Sequence, residues 1–176
     1  MRILGALAVV AVSFSLAARQ EPQAVSPVKL PTVTAYALDK SKRTLPADFS
    51  SPLNLLILSF ERDQQDAVES WVPVAKQPNV ELWVLPISSR QDVLYRWWLN
   101  SSMRSSLPPN ESQHTTVPLY VNKSQFLKSL GISSEKQIVV LVTDKSGQVL
   151  WRSEGAATDD KKASLTEFLK TSPIAH

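Results

Sequence analysis

The sequence predicts an α/β domain, a three-layer sandwich on a central mixed sheet with an N-terminal hairpin. Residues 53–60 are a near-continuous apolar run, the pattern of a strand buried on both faces. Helical spacing follows over residues 63–76, then a second strand at 80–86. That β-α-β order calls for two parallel strands joined by a right-handed crossover. Towards the other end, residues 138–143 are strongly β-branched, Asp144-Lys145-Ser146-Gly147 is a hairpin turn, and residues 148–152 return beside it. A parallel pair and an antiparallel pair in one chain make the sheet mixed.

In chain order, Met1-Arg2 followed by an apolar run from Ile3 to Ala18 and the small residues Ser15-Leu16-Ala17 has the three-part pattern of a secretory signal peptide. The run is shorter than the ~20 residues of a bilayer-crossing helix. Cleavage after Ala17 or Ala18 is therefore expected, with an uncleaved anchor as the alternative, and the protein is expected in the periplasm or cell envelope. Lipidation at the cut would need a cysteine, and the chain has none. Residues 18–31 carry Pro22, Pro27 and Pro31 without apolar periodicity and read as a tether. The domain is expected over 32–171, with 172–176 as a tail.

Within the domain, residues 33–37 and 43–45 flank the polar turn Asp39-Lys40-Ser41-Lys42 as a small hairpin. The helix at 63–76 has acids in its first turn and Ala67, Val68, Trp71, Val74 and Ala75 at helical spacing. In the next strand Val80, Leu82 and Val84 share one face, Trp83 and Leu85 the other. Ser88 or Ser89 is expected to cap a helix over about 91–103, followed by a polar loop at 104–116. A short strand at 117–121, a helical turn or two at 124–130 ending on Gly131, and a last helix over about 159–170 complete the order. Trp71 and Trp83 read as core, and Trp151 as packing on the sheet.

The net charge is +3 with 19 basic and 16 acidic residues, scattered rather than clustered, which is no nucleic-acid signature. Small exported domains usually carry disulfides; with no cysteine, this one is held by apolar packing alone. Thiol–disulfide exchange and thiol peroxidase chemistry are excluded, because both need a thiolate. The sequons at Asn100, Asn110 and Asn122 matter only in a eukaryotic secretory pathway. No Gly-rich phosphate loop, nucleophile elbow or metal-binding His pair occurs. His114 and His176 stand alone, so neither a cofactor nor a metal is expected.

The element order, with Gly131-Ile132, the β-branched run, Asp144-Lys145-Ser146-Gly147, Val149-Leu150-Trp151-Arg152, Glu154-Gly155 and Ala157-Thr158, resembles the thioredoxin-like superfamily in its peroxiredoxin-like and thiol-disulfide-oxidoreductase variants. The resemblance covers residues 32–171. It implies a redox site after the first long strand and a cis-proline just before the strand at 138–143. Here Arg62, Asp63, Gln64 and Gln65 occupy the first place and Lys136-Gln137 the second, so both halves of that site are missing together. Trp151-Arg152, Gly155-Ala156-Ala157-Thr158 and the Trp-rich segment followed by Arg104-Ser105-Ser106-Leu107-Pro108 are similar to the thioredoxin-like mitochondrial ATP synthase assembly factors, a branch without need of redox cysteines. Those act inside the organelle, whereas this chain reads as exported, so the resemblance supplies no partner.

Two candidate sites follow. The first is the degenerate pocket, formed by Glu61, Arg62, Asp63, Gln64 and Gln137. Asp66 and Glu69 add to the acids there, which serve either a metal or acid–base site or simply the helix N-terminus. The second is a docking surface on the expected helix at 91–103, formed by Arg96, Trp97, Trp98, Asn100 and Arg104. Neighbouring helical residues point about 100° apart, so Trp97 and Trp98 cannot share one narrow stripe. Arg96, Asn100 and Arg104 recur at steps of four beside them, and Trp and Arg are enriched in interaction hot spots. The alternative is a wide apolar face with both tryptophans in the core. The expected function is a non-redox protein-binding or assembly/chaperone module whose partner is a protein, membrane-embedded or not, or an anionic membrane surface. The alternative is an enzyme or small-ligand binder that has repurposed the cysteine-free pocket.

Overall fold

A computed structural model describes residues 28–75, 77–89 and 115–172. Strands β1 (Val33–Tyr36) and β2 (Lys42–Leu45) form a two-stranded antiparallel hairpin. The main sheet contains β3 (Leu53–Ser59), β4 (Val80–Ser89), β5 (Leu119–Val121), β6 (Val139–Asp144) and β7 (Val149–Glu154), ordered β5-β4-β3-β6-β7. β3 runs parallel to β4 and antiparallel to β6, so the sheet is mixed, as the sequence predicts. Among the described residues the α-helices are α1 (Gln65–Ala75), α2 (Lys123–Ser129) and α3 (Asp159–Thr171).

β3 is buried along its whole length, which accounts for its lack of polar alternation. Its side chains feed two cores. Leu53, Leu55 and Ile57 pack with Val68, Trp71 and Ala75 of α1 and Leu165 of α3. Leu56 and Leu58 pack on the opposite face with Leu45 and Phe49, beside Phe126 and Leu127 of α2. We call these the helical face and the hairpin face. β4 obeys the same parity: Val80, Leu82 and Val84 join the helical face, Trp83 and Leu85 the hairpin face. Each such Leu or Ile contributes about 1.5–3 kcal/mol when removed from water.

Three expectations are corrected. β4 continues past Pro86 to Ser89, so Ser88 and Ser89 are strand residues rather than helix caps. Pairing with β3 ends at Pro86, while on the other edge Val84 already bridges Thr116 and Ile87, Ser88 and Ser89 pair with β5. Second, residues 28–30, assigned by composition to the tether, extend the edge of β7. The Leu30 N–H donates to the Gly147 carbonyl (2.8 Å), the Val28 carbonyl accepts from Val149 (2.8 Å), and Leu30 is buried. Third, the short strand begins at Leu119, with Val117 tied to the Val84 carbonyl at 2.9 Å.

The turn between β6 and β7 forms as expected. The Asp144 carboxylate accepts from the N–H groups of Ser146 (2.8 Å) and Gln148 (3.0 Å), and Gly147 takes φ +82°. Asn122 caps α2 by accepting from Gln125 N–H (3.3 Å). Among the described residues no helix is long and apolar enough to cross a membrane.

Candidate functional site

The chain leaves β3 at Ser59, passes Phe60 and Glu61, and enters α1 through a single 3-10 turn over Arg62–Gln64. Glu61, Arg62 and Asp63 are exposed, whereas Gln64 is only 7% exposed. The difference follows from what the Gln64 side chain does. Its Oε1 accepts from the Phe60 N–H (2.8 Å) and, at longer range, from the Glu61 N–H (3.4 Å). Its Nε2 donates to the Glu135 carbonyl (2.7 Å) in the segment just before β6. One amide thus satisfies a backbone donor leaving the sheet and a backbone acceptor from a segment 71 residues away. Buried backbone groups must be paired, and here a side chain supplies the pairing.

The surroundings reinforce this clasp. Lys123, the first residue of α2, forms an ion pair with Glu135, and its ammonium stands 5.9 Å from the centroid of the Phe60 ring. The end of β3, the start of α1, the start of α2 and the segment before β6 therefore converge on Gln64 and Glu135. Gln137 lies two residues further along that segment and is exposed. Its Oε1 sits only 3.0 Å from where a side-chain carbon on Gly155 would be, so it faces the β7–α3 junction.

Of the five pocket residues named from sequence, the structure brings Gln64 and Gln137 to one segment and leaves Glu61, Arg62 and Asp63 on the surface. Asp66 and Glu69 are exposed as well, and the Glu69 carboxylate accepts from Gln65 Nε2 (2.8 Å). No group of three or more His, Asp or Glu residues suited to a metal ion occurs among the described residues. Sequence reasoning missed Lys123 and Glu135, because no local pattern marks a pair that meets only through tertiary contact. Arg96, Trp97, Trp98, Asn100 and Arg104, and also His114 and His176, lie outside the described residues.

This architecture is the thioredoxin-like fold. The structure is similar to the thioredoxin domain of a thiol-disulfide oxidoreductase from Bacteroides vulgatus (TM-score 0.53, 15% identity, 82% of this chain and 98% of that one). It is likewise similar to the exposed lipoprotein thioredoxin Etrx1 of Streptococcus pneumoniae (0.55, 12%, 80% and 98%). A third match is BsSco, of the Sco family of cytochrome c oxidase assembly proteins (0.54, 13%, 84% and 96%). No protein-family model matches the chain, and no curated protein matches it in sequence. The thioredoxin-like resemblance read from the sequence is thus supported at the level of fold, and its extension to the mitochondrial ATP synthase assembly factors is not. Neighbours of this kind are mostly thiol-disulfide oxidoreductase-like; this chain has the fold and no cysteine.

Proposed function

We propose that this protein is an exported, non-redox thioredoxin-like domain that serves as a protein-binding or assembly/chaperone module of the cell envelope. The observation that carries the reading is Gln64. At the helix entry where the resemblance implies a nucleophile stands an amide with both ends engaged in backbone hydrogen bonds. A carboxamide is neither a nucleophile nor an acid or base near neutral pH, and the burial of Gln64 keeps solvent-borne substrates from it. What the sequence retains is a folded scaffold displaying side chains. The exposed-lipoprotein neighbour and the Sco neighbour, two other proteins with this fold, support an envelope setting and an assembly role.

The docking surface proposed is the set Arg96, Trp97, Trp98, Asn100 and Arg104. Its aromatic and cationic composition suits a protein partner with acidic or membrane-proximal character. Photo-crosslinking in cells from position 98, with the exposed Lys145 of the β6–β7 turn as control, tests it. The expected result is one envelope protein captured from position 98 only, and lost when Trp97, Trp98 and Arg104 are changed to Ala in a folded protein. Equal capture from both positions, or none from 98 in a folded, exported protein, would overturn it. Fractionation and the N-terminal mass of the mature protein, expected to begin after Ala17 or Ala18, test export separately.

A further inference from the structure

We propose that the hairpin face encloses one ordered water molecule, held by Asn54, Trp83 and Thr143 as a structural ligand joining three strands. All three residues are buried, at 0%, 1% and 0% exposure. Each carries a polar atom without a hydrogen-bond partner: Asn54 Oδ1, Trp83 Nε1 and Thr143 Oγ1. Such atoms are rare singly in folded proteins, and the sheet register sets Asn54 beside both of the others. Asn54 of β3 lies directly opposite Thr143 of β6. Trp83 of β4 is registered with Leu56, one same-face position along from Asn54, a diagonal within reach of a large aromatic side chain.

Strand parity places all three in one layer. Leu56 and Leu58 share the face of Asn54, Leu141 that of Thr143, and all belong to the core cluster that contains Trp83. The remaining lining is apolar, with Leu30, Leu45 and Phe49 among it, so no other side chain in that cluster competes for the polar atoms. Asn54 Nδ2 is already spent on the Ser51 carbonyl (3.1 Å), which orients Oδ1 away from it. The sheet is also irregular here. The β6–β7 register shifts between Val142 and Thr143, leaving Leu150 as the extra residue of a bulge.

The three atoms form a complementary set: one donor, one acceptor and one hydroxyl able to act as either. A water accepts from Trp83 Nε1–H, donates to Asn54 Oδ1 and exchanges a hydrogen bond with Thr143, the usual complement of about three for a buried water. A direct Thr143–Asn54 bond would leave the indole N–H alone and is not formed in the structure.

A high-resolution crystal structure of the full chain tests the proposal, together with the melting temperature of Thr143→Val. Expected are one water within hydrogen-bond distance of all three atoms and a melting temperature lowered by about 2–4 °C, because the isosteric valine removes one of the water's partners. Empty density between the three atoms, a direct Thr143–Asn54 bond, or a melting temperature raised by Thr143→Val would each overturn it. The last outcome would mean that the hydroxyl had been buried with no partner, so that deleting it removes a penalty. If Thr143→Val fails to fold, the wild-type density alone decides.

Discussion

Trp71 and Trp83 head the fully buried side chains by volume, and they lie on opposite faces of the same sheet. Trp71 belongs to the helical face. Its indole N–H donates to the Gly155 carbonyl (2.9 Å), and Trp151 meets it edge-on with centroids 5.9 Å apart. Trp83 belongs to the hairpin face, where it tilts against Phe49 at 5.5 Å and its N–H meets no protein acceptor. The helical face is closed by backbone: Gly155, at φ +75°, turns the chain between β7 and α3 and presents a carbonyl to the indole. The hairpin face is closed by side chains from the N-terminal region and keeps polar atoms inside it. Equal burial thus conceals different partners, a backbone carbonyl for Trp71 and the proposed water for Trp83, and the two faces should respond differently to the same kind of change.

Truncating either tryptophan to Ala should have the largest effect, about 3–5 kcal/mol in urea unfolding, since each empties a large volume. The contrast appears in the Phe variants. Trp71→Phe strands the Gly155 carbonyl and should cost more than Trp83→Phe; the reverse order would break the comparison.

Next come the glycines that close each face. A Cβ at Gly147 would lie 2.9 Å from Pro46 Cγ and 3.2 Å from Leu30 Cβ, at φ +82°. Gly147→Ala should therefore cost roughly 2–4 kcal/mol, combining left-handed strain with overpacking. At Gly155 the close atom is the Oε1 end of the exposed Gln137 side chain at 3.0 Å, which can move aside. Gly155→Ala should cost only roughly 1–2 kcal/mol. Thermal melts of the pair would show whether the hairpin face is the more tightly closed.

Gln64→Leu keeps the volume but leaves the Phe60 N–H and the Glu135 carbonyl without their side-chain partner. About 1–3 kcal/mol of destabilisation is expected. Hydrogen exchange at Phe60 should accelerate, whereas exchange in β7 should not. The smallest effect belongs to Lys123→Met, which removes a partly exposed ion pair with Glu135. It should change stability by about 0–1 kcal/mol, less at high salt. A larger loss would mean that the contact with Phe60, not the ion pair, carries the lysine's contribution.

Much of this was legible in the chain itself. The two-sided burial of residues 53–59 follows from an unbroken apolar run, and the opposite faces of Val84 and Trp83 follow from the period of two in a strand. The turn at Asp144–Gly147 follows from an acid able to bond its own backbone and a glycine tolerant of positive φ. The absence of any cysteine thiol is read from composition alone. These are local properties, set by neighbours within a few residues.

What only the tertiary structure decided involves partners distant in sequence. Nothing near Gln64 distinguishes it from Gln65, yet one is buried and bridges to Glu135 while the other is exposed. Nothing in the proline-containing stretch before the hairpin announces that Leu30 will be buried beside Gly147. Pro86 ends a strand in a local reading, yet in the folded sheet it is only the last residue paired with β3 in a strand that runs on beside β5. Asn54 and Thr143 are polar letters in apolar runs until β3 and β6 set them face to face. Apolar periodicity specifies which side of an element is buried, but a buried hydrogen bond depends on where a second segment ends up, and that is a property of the assembled fold.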